Sequence, residues 1–278
     1  MHKLVLTISL LIFSIGYSQD IKPTSGKYTA YNKGKMYFYW GGNRGSFTNS
    51  DIRFKGANYD FTLYDVAAVD RPKGWHIDYI NPAKMTIPQT NFRLGYFIND
   101  HYNISIGVDH MKYVMVQNQS ARITGTYPSL YNSTVINNGY VDLTDGSFLT
   151  FEHTDGLNYV NSEFSRVDDI SKLFKINDTD KIQISLTEGA GAGILYPKTN
   201  TMLMGQERHD DFNVAGFGIS AKAGINITFF KHYFIQGELK GGYIDMQNIK
   251  TTFNNADSAS QHFMFFEKVI AFGGIFQL

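Results

Sequence analysis

From Ala215 to Phe229 every second residue is apolar: Ala215, Phe217, Ile219, Ala221, Ala223, Ile225, Ile227 and Phe229. Between them stand Gly216, Gly218, Ser220, Lys222, Gly224, Asn226 and Thr228, all small or polar. A period of two means a strand with two unlike faces. Ordinary strands run about five or six residues. A run this long fits a tilted strand that crosses a bilayer.

The pattern recurs. Tyr233, Ile235, Gly237, Leu239, Gly241 and Tyr243 alternate with Gln236, Glu238, Lys240 and Gly242, and Phe230, Lys231 and His232 make the tight connection before them. Ile182 to Ile194, Phe92 to Ile98 and Ile104 to Val108 alternate in the same way. At the C-terminus Ile270, Phe272, Gly274, Phe276 and Leu278 share one face. Met36 to Phe47, Asn58 to Val69 and Leu157 to Val167 are strand candidates of poorer contrast.

Composition fits that reading. The chain has 22 Phe, 18 Tyr and 26 Gly, yet after residue 18 no apolar run reaches helix-spanning length. Aromatic-rich segments that alternate rather than cluster are the mark of a transmembrane barrel. Lipid cannot satisfy the N–H and C=O groups of an open sheet edge, so such a sheet must close. The expectation is all-β: a closed antiparallel transmembrane β-barrel of 8–10 strands. Nine candidates are visible and single-chain bacterial barrels have even numbers, so ten is favoured, with a strand missed or split between Lys27 and Val69.

Met1, His2 and Lys3 precede an apolar stretch from Leu4 to Ile15, then Gly16, Tyr17 and Ser18. That stretch is too short to span a bilayer as a helix and has the layout of a secretory signal peptide. The expected organisation is a signal peptide over 1–18, a periplasmic lead-in over 19–34 and an outer-membrane β-barrel over 35–278. There is no cysteine, hence no disulfide and no thiolate chemistry. With 25 basic and 25 acidic residues there is no basic stripe for nucleic acid.

The signal peptide, the alternating strands and the C-terminal strand together resemble the small uncharacterised outer-membrane β-barrel proteins of Gram-negative bacteria. The resemblance covers the whole mature chain and implies a cell outer membrane location. It differs at the last residue, where Leu278 replaces the usual Phe and Phe276 lies two before it. Outer-membrane lipids are the implied partners, and the long connections Asp70–Gln89, Gln117–Gly156 and Lys198–Asp210 could offer an extracellular ligand surface. A monomer is the default, because closure leaves no edge to pair.

Parity sends Arg93, Asp109, Lys222, Glu238 and Lys240 into the lumen, with Asn43, Gln183 and Asn226. In a small barrel the interior is nearly filled by side chains, and buried charges of both signs would pair.

Five residues are candidates for chemistry: His153, Asp155, Glu152, His110 and Glu188. Glu152, His153 and Asp155 crowd acid and base onto one strand entry, His110 follows Asp109, and Glu188 falls on a lipid-facing parity. Locally, His153-Thr154-Asp155-Gly156 is similar to the His-x-Ser-Asn segment of outer-membrane lipid A deacylases. Asp155 occupies the serine position and Gly156 the asparagine position. A carboxylate cannot replace a hydroxyl that must be acylated, and Thr154 points to the opposite face from His153. His76, His101, His209 and His232 show no metal-ligand spacing. Asn177-Asp178-Thr179-Asp180 lacks the full calcium loop. No metal and no cofactor is expected. Three readings remain: a structural or surface-interaction barrel, a lipid A or phospholipid acyl hydrolase acting at the barrel rim, and a narrow solute channel. The first is favoured, because the other two each need a constellation seen only in part.

Overall fold

A computed structural model describes residues 31–72, 89–131, 135–206 and 211–277. The expected signal peptide and all but the last four residues of the lead-in lie outside the described residues, as do His76 and His209.

Fifteen strands follow one another along the chain. They are β1 (Lys35–Phe47), β2 (Ser50–Lys55), β3 (Asp60–Val66), β4 (Ala68–Val69), β5 (Thr90–Phe97), β6 (Tyr102–Met115), β7 (Ser120–Thr126) and β8 (Ile136–Asn137). Then come β9 (Tyr140–Asp142), β10 (Leu149–Asp169), β11 (Ile182–Leu195), β12 (Asn200–Leu203), β13 (Gly216–Phe229), β14 (Tyr233–Lys250) and β15 (Ser258–Gln277). Every strand pairing is antiparallel, and among the described residues no helix is long and apolar enough to cross a membrane; that says nothing of strands.

Eight long strands pair in the order β1-β5-β6-β10-β11-β13-β14-β15, and β15 pairs back onto β1 from Lys35↔Gln277 to Phe47↔Phe265. The pairing is therefore a ring of eight, short of the ten favoured from sequence. Eight of the nine sequence candidates fall in the ring, and the ninth does not. Asn58 to Val69 contributes β3, which pairs β2 and β7 and takes no place in the ring.

One end of the ring carries the short connections and the two ends of the described chain. At the β13–β14 turn Phe230 and Lys231 both take positive φ, 52° and 70°, and the His232 N–H donates to Phe229 O. This is the primed turn whose twist matches flanking strands. Beside the β5–β6 turn, Asp100 Oδ1 accepts from the backbone N–H groups of Asn32 and Lys33, so the last part of the lead-in is tied to that end.

The other end carries a second sheet region. β2 leaves the ring by pairing the start of β15, then β3, β7, β9 and β8 follow in order. Three of these strands arise within Gln117–Gly156, expected as a long loop with an extra hairpin. They cover an apolar core that includes Ile52, Phe54, Phe61, Leu63, Tyr113, Phe148 and Phe151. Phe54 stacks on Phe61 at 5.3 Å and meets Phe151 edge-on at 5.5 Å. This region is a cap over the ring.

The ring itself is inverted relative to a soluble protein. Its outer face exposes apolar side chains on all eight strands, among them Phe38, Phe92, Ile106, Phe164, Ile194, Ile219, Ile235 and Ile270. Its inner face buries Arg93, Asp109, Glu163, Lys240 and Glu267.

Candidate functional site

The strands bring seven charged side chains to one level of the interior. β5 supplies Arg93, β6 Asp109, β10 Glu163, β13 Lys222, β14 Glu238 and Lys240, and β15 Glu267. Each sits at an inward parity, so the alternation that makes the outer face apolar also delivers the charge inward. Lys240 Nζ lies 2.7 Å from Asp109 Oδ2 and 2.7 Å from Glu163 Oε1. Arg93 Nη2 is 3.0 Å from Glu163 and 3.5 Å from Asp109. Lys222 Nζ bridges Glu163 at 2.6 Å and Glu238 at 3.0 Å.

Amides complete the cluster. Asn91 Nδ2 donates to Asp109 Oδ1 at 2.8 Å, and Asn161 Nδ2 donates to Asp109 Oδ2 at 2.9 Å. Gln236 Nε2 donates to Glu238 at 2.8 Å, and Arg93 Nε donates to the Tyr39 hydroxyl at 3.1 Å. Such hydrogen bonds are what let buried ions persist, because desolvation otherwise outweighs the attraction. Glu267 differs. Its carboxylate is fully buried, has no hydrogen-bond partner and makes no ion pair within 4.0 Å among the described residues.

Above the cluster the cap core fills the ring's upper end. Below it Tyr37, Tyr39, Phe97 and Phe234 pack together and line a cavity that reaches up to Lys222.

The five charged residues that parity sends inward lie in this cluster, and Asn43, Gln183 and Asn226 are buried as well. Glu163 and Glu267 are members that sequence reasoning missed. Glu163 alternates with Ser162 and Phe164, so its strand's outward face is not uniformly apolar. Glu267 belongs to the C-terminal strand, whose inward face carries Val269 and Ala271.

The five candidates for chemistry do not converge. A register shift between His153 and Leu157 separates β10 into an upper cap segment and a lower ring segment, with Gly156 at φ 153°. His153 points inward above the shift, fully buried between Phe151 and Tyr113, and shares a 2.8 Å hydrogen bond with Thr199 Oγ1. Burial takes its pKa from 6.5 down to about 3. Asp155 turns outward, 3.9 Å from Lys198. Glu152 also faces outward, pairs with Arg71 at 3.0 Å and accepts from the Thr154 hydroxyl at 2.8 Å. His110 follows the outward parity of β6 and shares a 2.7 Å hydrogen bond with Asn158. Glu188 lies further down, opposite Arg166 in the β10–β11 register. The hydroxyl beside His153 is that of Thr199, and the one beside Glu152 is that of Thr154, so base and acid hold different hydroxyls. Among the described residues no group of His, Asp and Glu is arranged to hold a metal ion.

The fold defines an all-β antiparallel protein whose eight long strands pair into a ring around a polar interior. No family description matches the chain, and no curated protein does. Solved structures do. OprG of Pseudomonas aeruginosa is similar at a TM-score of 0.40 with 8% identity, over 90% of this chain and 100% of that one. Ail, the attachment invasion locus protein of Yersinia pestis, is similar at 0.33 with 12% identity, over 88% and 99%. Neisserial surface protein A is similar at 0.32 with 11% identity, over 87% and 97%.

Proposed function

We propose that the protein is an integral outer-membrane β-barrel of eight strands, with a sealed structural lumen and a surface-interaction role carried by its cap. The observation that carries this is the inversion of the ring: apolar side chains outward on every strand, paired charges inward. A closed sheet with that distribution is stable in hydrocarbon, because no edge N–H or C=O meets lipid. Short turns face the periplasm and long connections face outside in such barrels, so the cap stands on the cell surface and the lead-in lies in the periplasm. The chain acts there as a monomer.

The cap's outer surface carries paired polar side chains. Arg53 pairs with Asp60 at 2.7 Å, and the Arg122 guanidinium lies 3.7 Å above the Tyr64 ring. It offers a face to an extracellular ligand. A solute path through the barrel would have to cross both the ion cluster and the cap core. Neither a channel nor acyl hydrolysis is favoured by any arrangement seen here.

Planar-bilayer recording tests this reading. Purified protein inserted into a bilayer should give no discrete conductance steps, and cysteines introduced at Thr124 should react with an impermeant label in intact cells. Stepwise conductance, or an unlabelled Thr124, would overturn it.

A further inference from the structure

The cavity at the lower end of the ring has two unlike walls. Tyr37 and Tyr39 of β1, Phe97 of β5 and Phe234 of β14 form one, with the Tyr37 ring centroid 5.6 Å from Phe97 and 6.5 Å from Phe234. Across the ring from them β10, β11 and β13 turn Ser165, Thr187, Ser185, Asn226 and Thr228 inward. Between the walls the cavity runs from Asn32 at the short-turn end up to Lys222.

The polar wall is only partly satisfied. The Thr228 hydroxyl donates to Asn226 Oδ1 at 2.8 Å, Asn226 Nδ2 donates to Gln236 Oε1 at 3.2 Å, and Gln236 donates to Glu238 at 2.8 Å. Ser165 Oγ and Thr187 Oγ1, nearer Lys222, have no partner, although the two residues are only 3% and 5% exposed. A buried hydroxyl left unpaired is costly, and each of these can both donate and accept.

Charge does not select the occupant. Lys222 is the one charged residue lining the cavity, and its Nζ is already held by Glu163 at 2.6 Å and Glu238 at 3.0 Å. An entering ion would meet no unpaired charge. An aromatic wall facing a few placed polar groups suits a solute with C–H groups on one side and hydroxyls on the other. The cavity's volume is about 50 Å³ counted at water centres, room for roughly four waters at about 10–15 Å³ each. At about 30 Å³ of liquid volume per water, that equals a polyol of about three or four carbons.

We propose that this cavity binds a small neutral polyol of that size, its hydroxyls on Ser165 and Thr187 and its carbon chain against Tyr37 and Phe234. The site stands on the interior geometry of the ring. That its mouth faces the periplasm rests on the membrane reading above.

The chain has no cysteine, so Ser185→Cys places a single reporter thiol on the cavity wall. Full-length protein folded in detergent micelles is treated with methyl methanethiosulfonate, and mass spectrometry reads the labelling rate with and without erythritol. Erythritol should slow labelling saturably. Butanediol, with the same carbon chain and fewer hydroxyls, should protect about fivefold more weakly, and sucrose, too large to enter, should not protect. On the Ser185→Cys background, Thr187→Val and Ser165→Ala should each raise the half-protecting erythritol concentration about fivefold, and Thr187→Ser should leave it unchanged. A thiol that never labels, a rate unaffected by erythritol (a cavity filled by water alone), equal protection by sucrose, or equal protection in the hydroxyl-free variants would overturn the proposal. Heat-modifiable gel mobility of the same samples reports on the barrel. Protection without a gel shift would count against the membrane reading and support the site, whereas a gel shift without protection counts against the site alone.

Discussion

Lys240 and Asp109 meet in the ring's interior at 2.7 Å, 131 residues apart in sequence, and neither side chain has any exposure. They connect β14 to β6 across the lumen rather than along the sheet. Removing Lys240 takes the nearest cation from Asp109 and from Glu163 and leaves Asp109 with Arg93 at 3.5 Å and two amides. Lys240→Met should cost roughly 3–5 kcal/mol. The double variant Lys240→Met with Asp109→Leu should recover part of that loss. Urea titration followed by the gel-mobility shift measures both, and a double variant less stable than Lys240→Met would show that the pair is not a unit.

The cluster holds four carboxylates, Asp109, Glu163, Glu238 and Glu267, against three cations, Arg93, Lys222 and Lys240. Glu163 touches all three cations, while Glu267 pairs with none of them within 4.0 Å. The two acids should therefore respond oppositely to neutralisation. Glu163→Gln should lower stability by about 3 kcal/mol, and Glu267→Gln should leave it unchanged or raise it. Thermal midpoints of the gel shift decide, and equal losses would contradict the assignment.

His153 sits in the cap, above the apolar belt, and burial holds its pKa near 3 against an ordinary 6.5. Its folded-state pKa is depressed, so the unfolded chain takes up the proton first as pH falls. The stability it allows is fully present above about pH 6.5 and is lost progressively toward pH 3. Each unit in that window costs roughly 1.4 kcal/mol, so at pH 5 the loss is about 2 kcal/mol. His153→Gln should flatten the profile between pH 7 and pH 5. Parallel profiles for wild type and variant would show that His153 does not titrate in this way.

The cap core should be separable from the ring. Phe54 is fully buried and stacks on Phe61. Phe54→Ala removes that packing at a cost of roughly 3–5 kcal/mol. Because the ring has its own pairing and its own buried cluster, the variant should become protease-sensitive in the cap while the ring fragment stays resistant. Full digestion would mean that cap and ring fold as one unit.

What the sequence revealed follows from how each face is covered. β13 and β14 have an exposed apolar face on one side and the polar interior on the other, so Ala215–Phe229 alternates without a break. β3 alternates too, with poorer contrast: Phe61 and Leu63 lie in the cap core and Thr62 and Tyr64 face out. Period two reports two unlike faces and cannot say which of them meets lipid. That is why Asn58 to Val69 reads as a spanning strand. β10 was hard to read for the opposite reason. It begins in the cap, shifts register near Gly156 and ends in the ring, so no single parity holds along it. The scatter of His153, Asp155 and Glu152 is a consequence of the same shift. The pairing of Lys240 with Asp109 was beyond reach because it runs across the lumen, between strands that are not neighbours in the ring.

Closure of the ring is tested most directly at the β1–β15 seam. Met36 and Phe276 are cross-strand partners on the outer face, and Cβ atoms of such pairs lie about 4.5–5.5 Å apart. The native chain has no cysteine, so a Met36→Cys, Phe276→Cys variant reports on that seam alone. After folding and mild oxidation it should form an intramolecular disulfide, while Met36→Cys with Met264→Cys, distant in register, should not. Absence of the bond in the first variant, or bonds formed only between molecules, would contradict a closed barrel.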